Sequence, residues 1–66
     1  MINKIKICRK NLNFTQEELA KKLKVTRQTI NAIENNKYNP TLELAMKLAR
    51  ILNTTVEELF EVNYEE

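Results

Sequence analysis

Glycine, histidine, aspartate and tryptophan are absent from this chain, and proline and cysteine occur once each. Without histidine, metal sites and Cys/His nucleophilic sites are close to excluded, and no other catalytic constellation stands out. Neither enzymatic activity nor a bound metal or cofactor is expected. A lone cysteine forms no internal disulfide, which fits a reducing cytoplasm. No apolar run approaches the roughly 18 residues of a membrane span. The opening stretch MINKIKICRKN has no signal-peptide apolar region. With glycine missing, helix stops must be read from Asn, Pro and N-cap residues.

What is present describes one small globular domain. The chain has 66 residues, 42% of them hydrophobic, near the lower limit for independent folding. Its core must be small, so self-association is a plausible source of extra stability. Residues 1–50 hold all 11 Lys and Arg against four Glu, a balance of +7, whereas residues 51–66 hold five Glu and no base. A basic body with an acidic tail suits one surface facing a polyanion and another turned away. The alternative is random scatter of charge on a lysine-rich protein.

Local patterns divide the chain into five helices. Ile2, Ile5, Cys8 and Leu12 recur at three- and four-residue steps, predicting an amphipathic helix over about 3–12 with Cys8 as a buried apolar residue. Asn11 and Asn13 break it. In FTQEELAKKL, Thr15 and Glu18 form a capping box, Phe14 and Leu19 take the staple positions, and a second helix runs from about 16 to 23. Lys24 and Val25 make a tight connection, and Thr26 caps a third helix that Asn35 and Asn36 end. Thr41 caps a fourth, with Leu42, Leu44, Ala45, Leu48, Ala49, Ile51 and Leu52 on a broad apolar face, and Asn53 stops it. Thr55 and Glu58 box a short fifth helix carrying Val56, Leu59 and Phe60. The tail, residues 61–66, alternates Val62 and Tyr64 with polar residues and suits a short strand.

Two short helices joined by three or four residues have helix-turn-helix geometry. That unit needs a small residue where the helices cross, and Ala20 stands there. It needs apolar anchors on both helices and in the turn, and Leu19, Leu23, Val25, Ile30 and Ile33 supply them.

Residues 16–35 resemble the helix-turn-helix of the phage-repressor-like (XRE or lambda-repressor-like) DNA-binding family, and the similarity extends over nearly the whole chain. TQEELA, VTRQTINAIENNKYNP and the T-V-E-E box carry it. The look is that of the short stand-alone repressors of Gram-positive bacteria, of the cytolysin-operon kind. The resemblance implies an all-α, compact five-helix domain, with or without a short terminal β-ribbon formed by Met1–Lys6 and the tail. Two positions depart from the family: Lys24 stands where the turn often has Gly, and Asn36 replaces the Gly of E-N-G-K. Lys24 must therefore accept an unusual backbone or a slightly different turn.

With Ile30 and Ile33 inward, the opposite side of the third helix presents Arg27, Gln28 and Asn31. Gln and Asn offer a donor and an acceptor together to adenine, and Arg pairs two donors with guanine. Lys or Glu would give charge with less direction, so these three are the candidate base contacts. A polar solvent face with accidental amides is the bland alternative. Gln16, at the first turn of the second helix, lies where amides and the helix dipole favour an anion. The resemblance makes it a phosphate contact. Thr26, Thr29, Asn36, Lys37 and Asn39 are further phosphate candidates, although Asn39 serves equally as a turn residue before Pro40. The resemblance also implies a structural ion pair between Arg9 and Glu34.

The family usually binds a near-palindromic operator in double-stranded DNA as a homodimer, with reading helices about 34 Å apart. Leu52, Val56, Phe60, Val62 and Tyr64 are candidates for that interface if the core can spare them. A tail folded onto its own domain is the alternative. The expected function is a transcriptional regulator, most simply a repressor, with a protein partner or antirepressor as the route to release. An antitoxin using the same DNA surface is the second reading, and an interaction module that has lost DNA binding is the third.

Overall fold

The computed structural model describes residues 2–61. Its elements are strand β1 (Ile2–Asn3), helices α1 (Ile5–Asn11), α2 (Gln16–Leu23), α3 (Arg27–Glu34), α4 (Leu42–Ile51) and α5 (Val56–Leu59), and strand β2 (Phe60–Glu61). β1 and β2 pair antiparallel, Ile2 opposite Glu61 and Asn3 opposite Phe60. The ribbon thus begins one residue before the expected tail strand, and residues 62–66 lie outside the described residues.

Each helix from α2 onward starts in the same way. Thr15, Thr26, Thr41 and Thr55 have extended backbones, and each side chain accepts from the amide three residues on. That hydroxyl satisfies one of the donors a helix leaves free at its start. At Thr15 the box is complete, because Glu18 Oε1 accepts from the Thr15 amide at 2.9 Å.

The helix ends share a device as well. Asn13, Lys24, Asn36 and Asn53 all have φ near +60°. After each, an amide reaches back five residues: Phe14 to Arg9, Val25 to Ala20, Lys37 to Ala32 and Thr54 to Ala49, at 2.9–3.0 Å. These are Schellman closures, in which the left-handed residue is ordinarily glycine. Asparagine tolerates that conformation better than other residues with a side chain. Lys24 does not share that advantage, so the turn between α2 and α3 carries local strain.

The core draws on every helix. Ile5, Leu19, Ile30, Ile33, Leu48 and Leu59 are all less than 2% exposed. Burying each such side chain is worth about 1.5–3 kcal/mol. Ala20, Ala45 and Ala49 let the helices approach closely around them.

Three sequence expectations need correction. α1 begins at Ile5, because Ile2 and Asn3 pair with β2; Ile2 and Leu12 are exposed, and Cys8 is half-buried at the core's edge. Leu42 occupies the first turn of α4 and is 72% exposed, so it is not on the inward face. Leu52 and Phe60, taken as residues the core could spare, are buried within it.

Candidate nucleic-acid interface

The α2–α3 unit sets one polar face outward. Lys24, with φ 58° and ψ 40°, reverses the chain after α2, and Val25 packs against the core as α3 begins. Ile30 and Ile33 then anchor α3 inward, each 1% exposed. A helix with those positions buried must present residues about half a turn away, and Arg27, Gln28 and Asn31 are exposed. The three line one shallow depression of about 200 Å³.

Behind this face runs a hydrogen-bond chain. Arg9 Nε donates to Glu34 Oε2 at 2.8 Å and Arg9 Nη2 to Glu34 Oε1 at 3.2 Å, while Nη1 donates to the Phe14 carbonyl at 2.9 Å. Gln16 Nε2 donates to Glu34 Oε1 at 3.1 Å. Its Oε1 lies 3.5 Å from Arg27 Nε, at the outer limit of a hydrogen bond. The half-buried Gln16 side chain therefore connects the Arg9–Glu34 pair to the exposed Arg27. Among the described residues no buried side-chain polar atom lacks a partner.

Beside this chain an open concavity of about 680 Å³ is bounded by Lys10, Asn13, Thr15, Gln16, Glu17 and Arg27, among others. It faces the start of α2, where amides lack helix partners. Lys10 and Arg27 give it positive charge, and Glu17 opposes them. The sequence carries no sign that Lys10 and Asn13 border this concavity, because the meeting of α1's end with α2's start is a tertiary fact.

The remaining candidates divide by position. Thr26 and Thr29 share a hydroxyl hydrogen bond of 2.9 Å, and Thr26 also caps α3. Asn36, Lys37 and Asn39 are exposed on the loop after α3. Asn35 Nδ2 donates to the Asn31 carbonyl at 2.9 Å and to Asn31 Oδ1 at 3.2 Å. That contact orients the Asn31 amide, whose Nδ2 has no partner among the described residues. Asn3, which no sequence pattern marks, donates to the Ile33 carbonyl and to Asn36 Oδ1.

Of the residues suggested for subunit contact, Val56 is half-buried, Leu52 and Phe60 are internal, and Val62 and Tyr64 lie outside the described residues. The large exposed apolar side chains are elsewhere: Leu42 and Met46 stand one turn apart on α4, and Ile2, Ile7, Leu12 and Tyr38 are scattered over other parts of the chain. A groove of about 510 Å³ between α4 and α5 runs from Met46 to Val56. Among the described residues no three or more His, Cys, Asp or Glu side chains come together as a metal site would need, and no helix is long and apolar enough to cross a membrane.

A family model described as helix-turn-helix matches residues 5–59. The chain is 53% identical over 60 residues to an HTH-type transcriptional regulator of Methanocaldococcus jannaschii, covering 91% of each. It is 36% identical over 56 residues to antitoxin HipB of Escherichia coli, covering 85% of this chain and 64% of HipB. Among solved structures, the N-terminal DNA-binding domain of SinR from Bacillus subtilis matches with a TM-score of 0.77 and 31% identity, over 92% of this chain and 90% of that one.

Proposed function

The chain belongs to the helix-turn-helix family of DNA-binding transcriptional regulators, and from that premise we propose that it represses transcription as a cytoplasmic homodimer bound to a near-palindromic operator. The observation that carries this reading is the outward face of α3. Ile30 and Ile33 hold the helix to the core, and Arg27, Gln28 and Asn31 are exposed opposite them. In the major groove those side chains read base edges, with Arg27 suited to guanine and the two amides to adenine.

Gln16, Thr26, Thr29, Asn36, Lys37 and Asn39 flank that face and serve as contacts to the phosphate backbone. They fix register and carry no sequence information directly. A repressor of this kind acts by occupying promoter DNA that the polymerase needs. Its release then falls to a partner protein, an antirepressor or control of abundance.

Two copies double the sequence read, with half-sites about 34 Å apart. The outer face of α4 supports this assembly. Met46 lines a groove with Val56, and the exposed Leu42 stands one turn before it on α4, an apolar strip that a second copy could cover.

The likeness to antitoxin HipB favours a second reading, in which the same DNA face serves a toxin–antitoxin pair. Selection of binding sites from random DNA, with the mass of the complex measured, tests the first reading. A recovered two-fold site bound by two copies supports it, and no enrichment at low salt overturns it. Co-purification with a toxin encoded alongside would move the assignment to the second.

A further inference from the structure

Asn3 holds three groups at once. Its Oδ1 accepts from the Ile5 amide at 3.2 Å. Its Nδ2 donates to the Ile33 carbonyl at 2.8 Å and to Asn36 Oδ1 at 3.0 Å. The first contact helps start α1. The other two grip the exit of α3, thirty residues further along the chain. The two backbone partners also settle which way the Asn3 amide faces, since one is a donor and the other an acceptor.

Asn36 is what makes the second grip work. Its backbone is left-handed, φ 59°, and its own amide donates to the same Ile33 carbonyl at 3.1 Å. Glycine would adopt that conformation at less cost, but it has no oxygen for Asn3 to hold. The asparagine here both turns the chain and supplies the catch. Lys37 follows immediately, and its amide closes back on Ala32.

We propose that Asn3 is a positioning residue for DNA binding: it latches the terminal ribbon to the end of the reading helix and so sets the Asn36–Lys37 loop on the phosphate backbone. This rests on the reading of that loop as a phosphate contact. Because Asn3 pairs with Phe60 in the ribbon, closing of β1 on β2 and setting of the loop become one event. Any grip on the loop must then favour a closed ribbon by the same factor.

The test compares Asn3→Ala, Asn36→Gly, their combination and Lys37→Ala on the selected DNA site across a range of salt, with thermal melts of each. Asn36→Gly keeps the left-handed turn and removes the catch together with any phosphate contact of the Asn36 side chain. The double variant separates the two, because a direct contact alone would not couple to Asn3. Asn3→Ala and Asn36→Gly should each weaken binding about three- to tenfold, the scale of one hydrogen bond. Each should flatten the salt dependence and leave the ranking of base substitutions unchanged. The double variant should bind no worse than the weaker single variant. Losses that multiply in full overturn the latch, as does wild-type affinity and salt slope in Asn3→Ala.

Where Asn3→Ala melts below the assay temperature, the cycle of Asn36→Gly with Lys37→Ala decides, and full additivity there is again fatal to the latch. Lys37→Ala weakened beside unaffected latch variants keeps the loop on DNA and removes only the latch. Lys37→Ala with unchanged binding takes the loop off DNA and removes both.

Discussion

The Arg9 guanidinium and the Glu34 carboxylate meet through two hydrogen bonds across 25 residues of sequence, with the Glu34 side chain only 2% exposed. A pair so placed joins α1 to the end of α3 and orients Gln16 as well. Removing one partner leaves a buried charge without its counterpart. Glu34→Ala is therefore expected to cost about 3–5 kcal/mol, and Arg9→Ala a similar amount. By contrast, Lys47→Ala breaks an exposed pair with Glu43 and should stay within about 0.5 kcal/mol. Thermal or urea unfolding of the three variants checks the ranking, and equal losses would contradict it.

Gln28→Ala and Arg27→Ala are expected to cost about 1–3 kcal/mol at the selected site and to relax base preference there. Binding titrations against single-base variants of the site read both effects. A Gln28→Ala protein that retains full affinity and preference would falsify the proposed reading face.

Lys37→Ala should weaken all sequences evenly. The slope of log K against log salt should fall by about one. A loss confined to one base position would instead make Lys37 a base contact.

Lys24→Gly should stabilise the fold by about 1 kcal/mol, because a residue with a Cβ in the left-handed region carries that order of penalty. Its Schellman bond from Val25 to Ala20 needs no lysine side chain. Chemical denaturation gives the sign directly, and a destabilised glycine variant contradicts the strain at this turn.

The Glu18 carboxyl sits below the ordinary glutamate range because the Thr15 amide and then the Thr15 hydroxyl hydrogen-bond to it, with Lys22 and Lys21 adding weakly against desolvation. A depressed folded pKa contributes stability above the unfolded value and loses it as pH falls through the folded one. Glu18→Gln should therefore flatten the decline in stability below about pH 4–5, near and under the unperturbed glutamate value. Melting curves of both proteins across that range make the comparison.

Much of this architecture is local and could be read in advance. Threonine at 15, 26, 41 and 55 announces each helix start, and Asn36 and Asn53 announce stops, because caps act within a few residues. The buried pair Ile30 and Ile33 likewise orients α3, since a helix ties each inward position to an outward one. The misreadings came where distant chain decides. Ile2 has the spacing to continue the stripe of Ile5 and Cys8, yet pairing with Glu61 draws it into a strand. Leu42 looks inward by type, but among the described residues its side chain in the first turn of α4 is left largely uncovered. The hold of Asn3 on Ile33 and Asn36 has no signature at all in a linear sequence, because its partners are thirty residues away.

α1 alone among the helices lacks a side-chain cap from its own N-cap residue. Its start depends on the Lys4 amide donating to the Leu59 carbonyl at 2.8 Å and on Asn3. The start of α1 thus completes its register only once Leu59, far along the chain, has come into place. The capped helices α2 to α4 can form beforehand, so amide hydrogen exchange should find α1 opening at lower free energy than the α2–α3 pair.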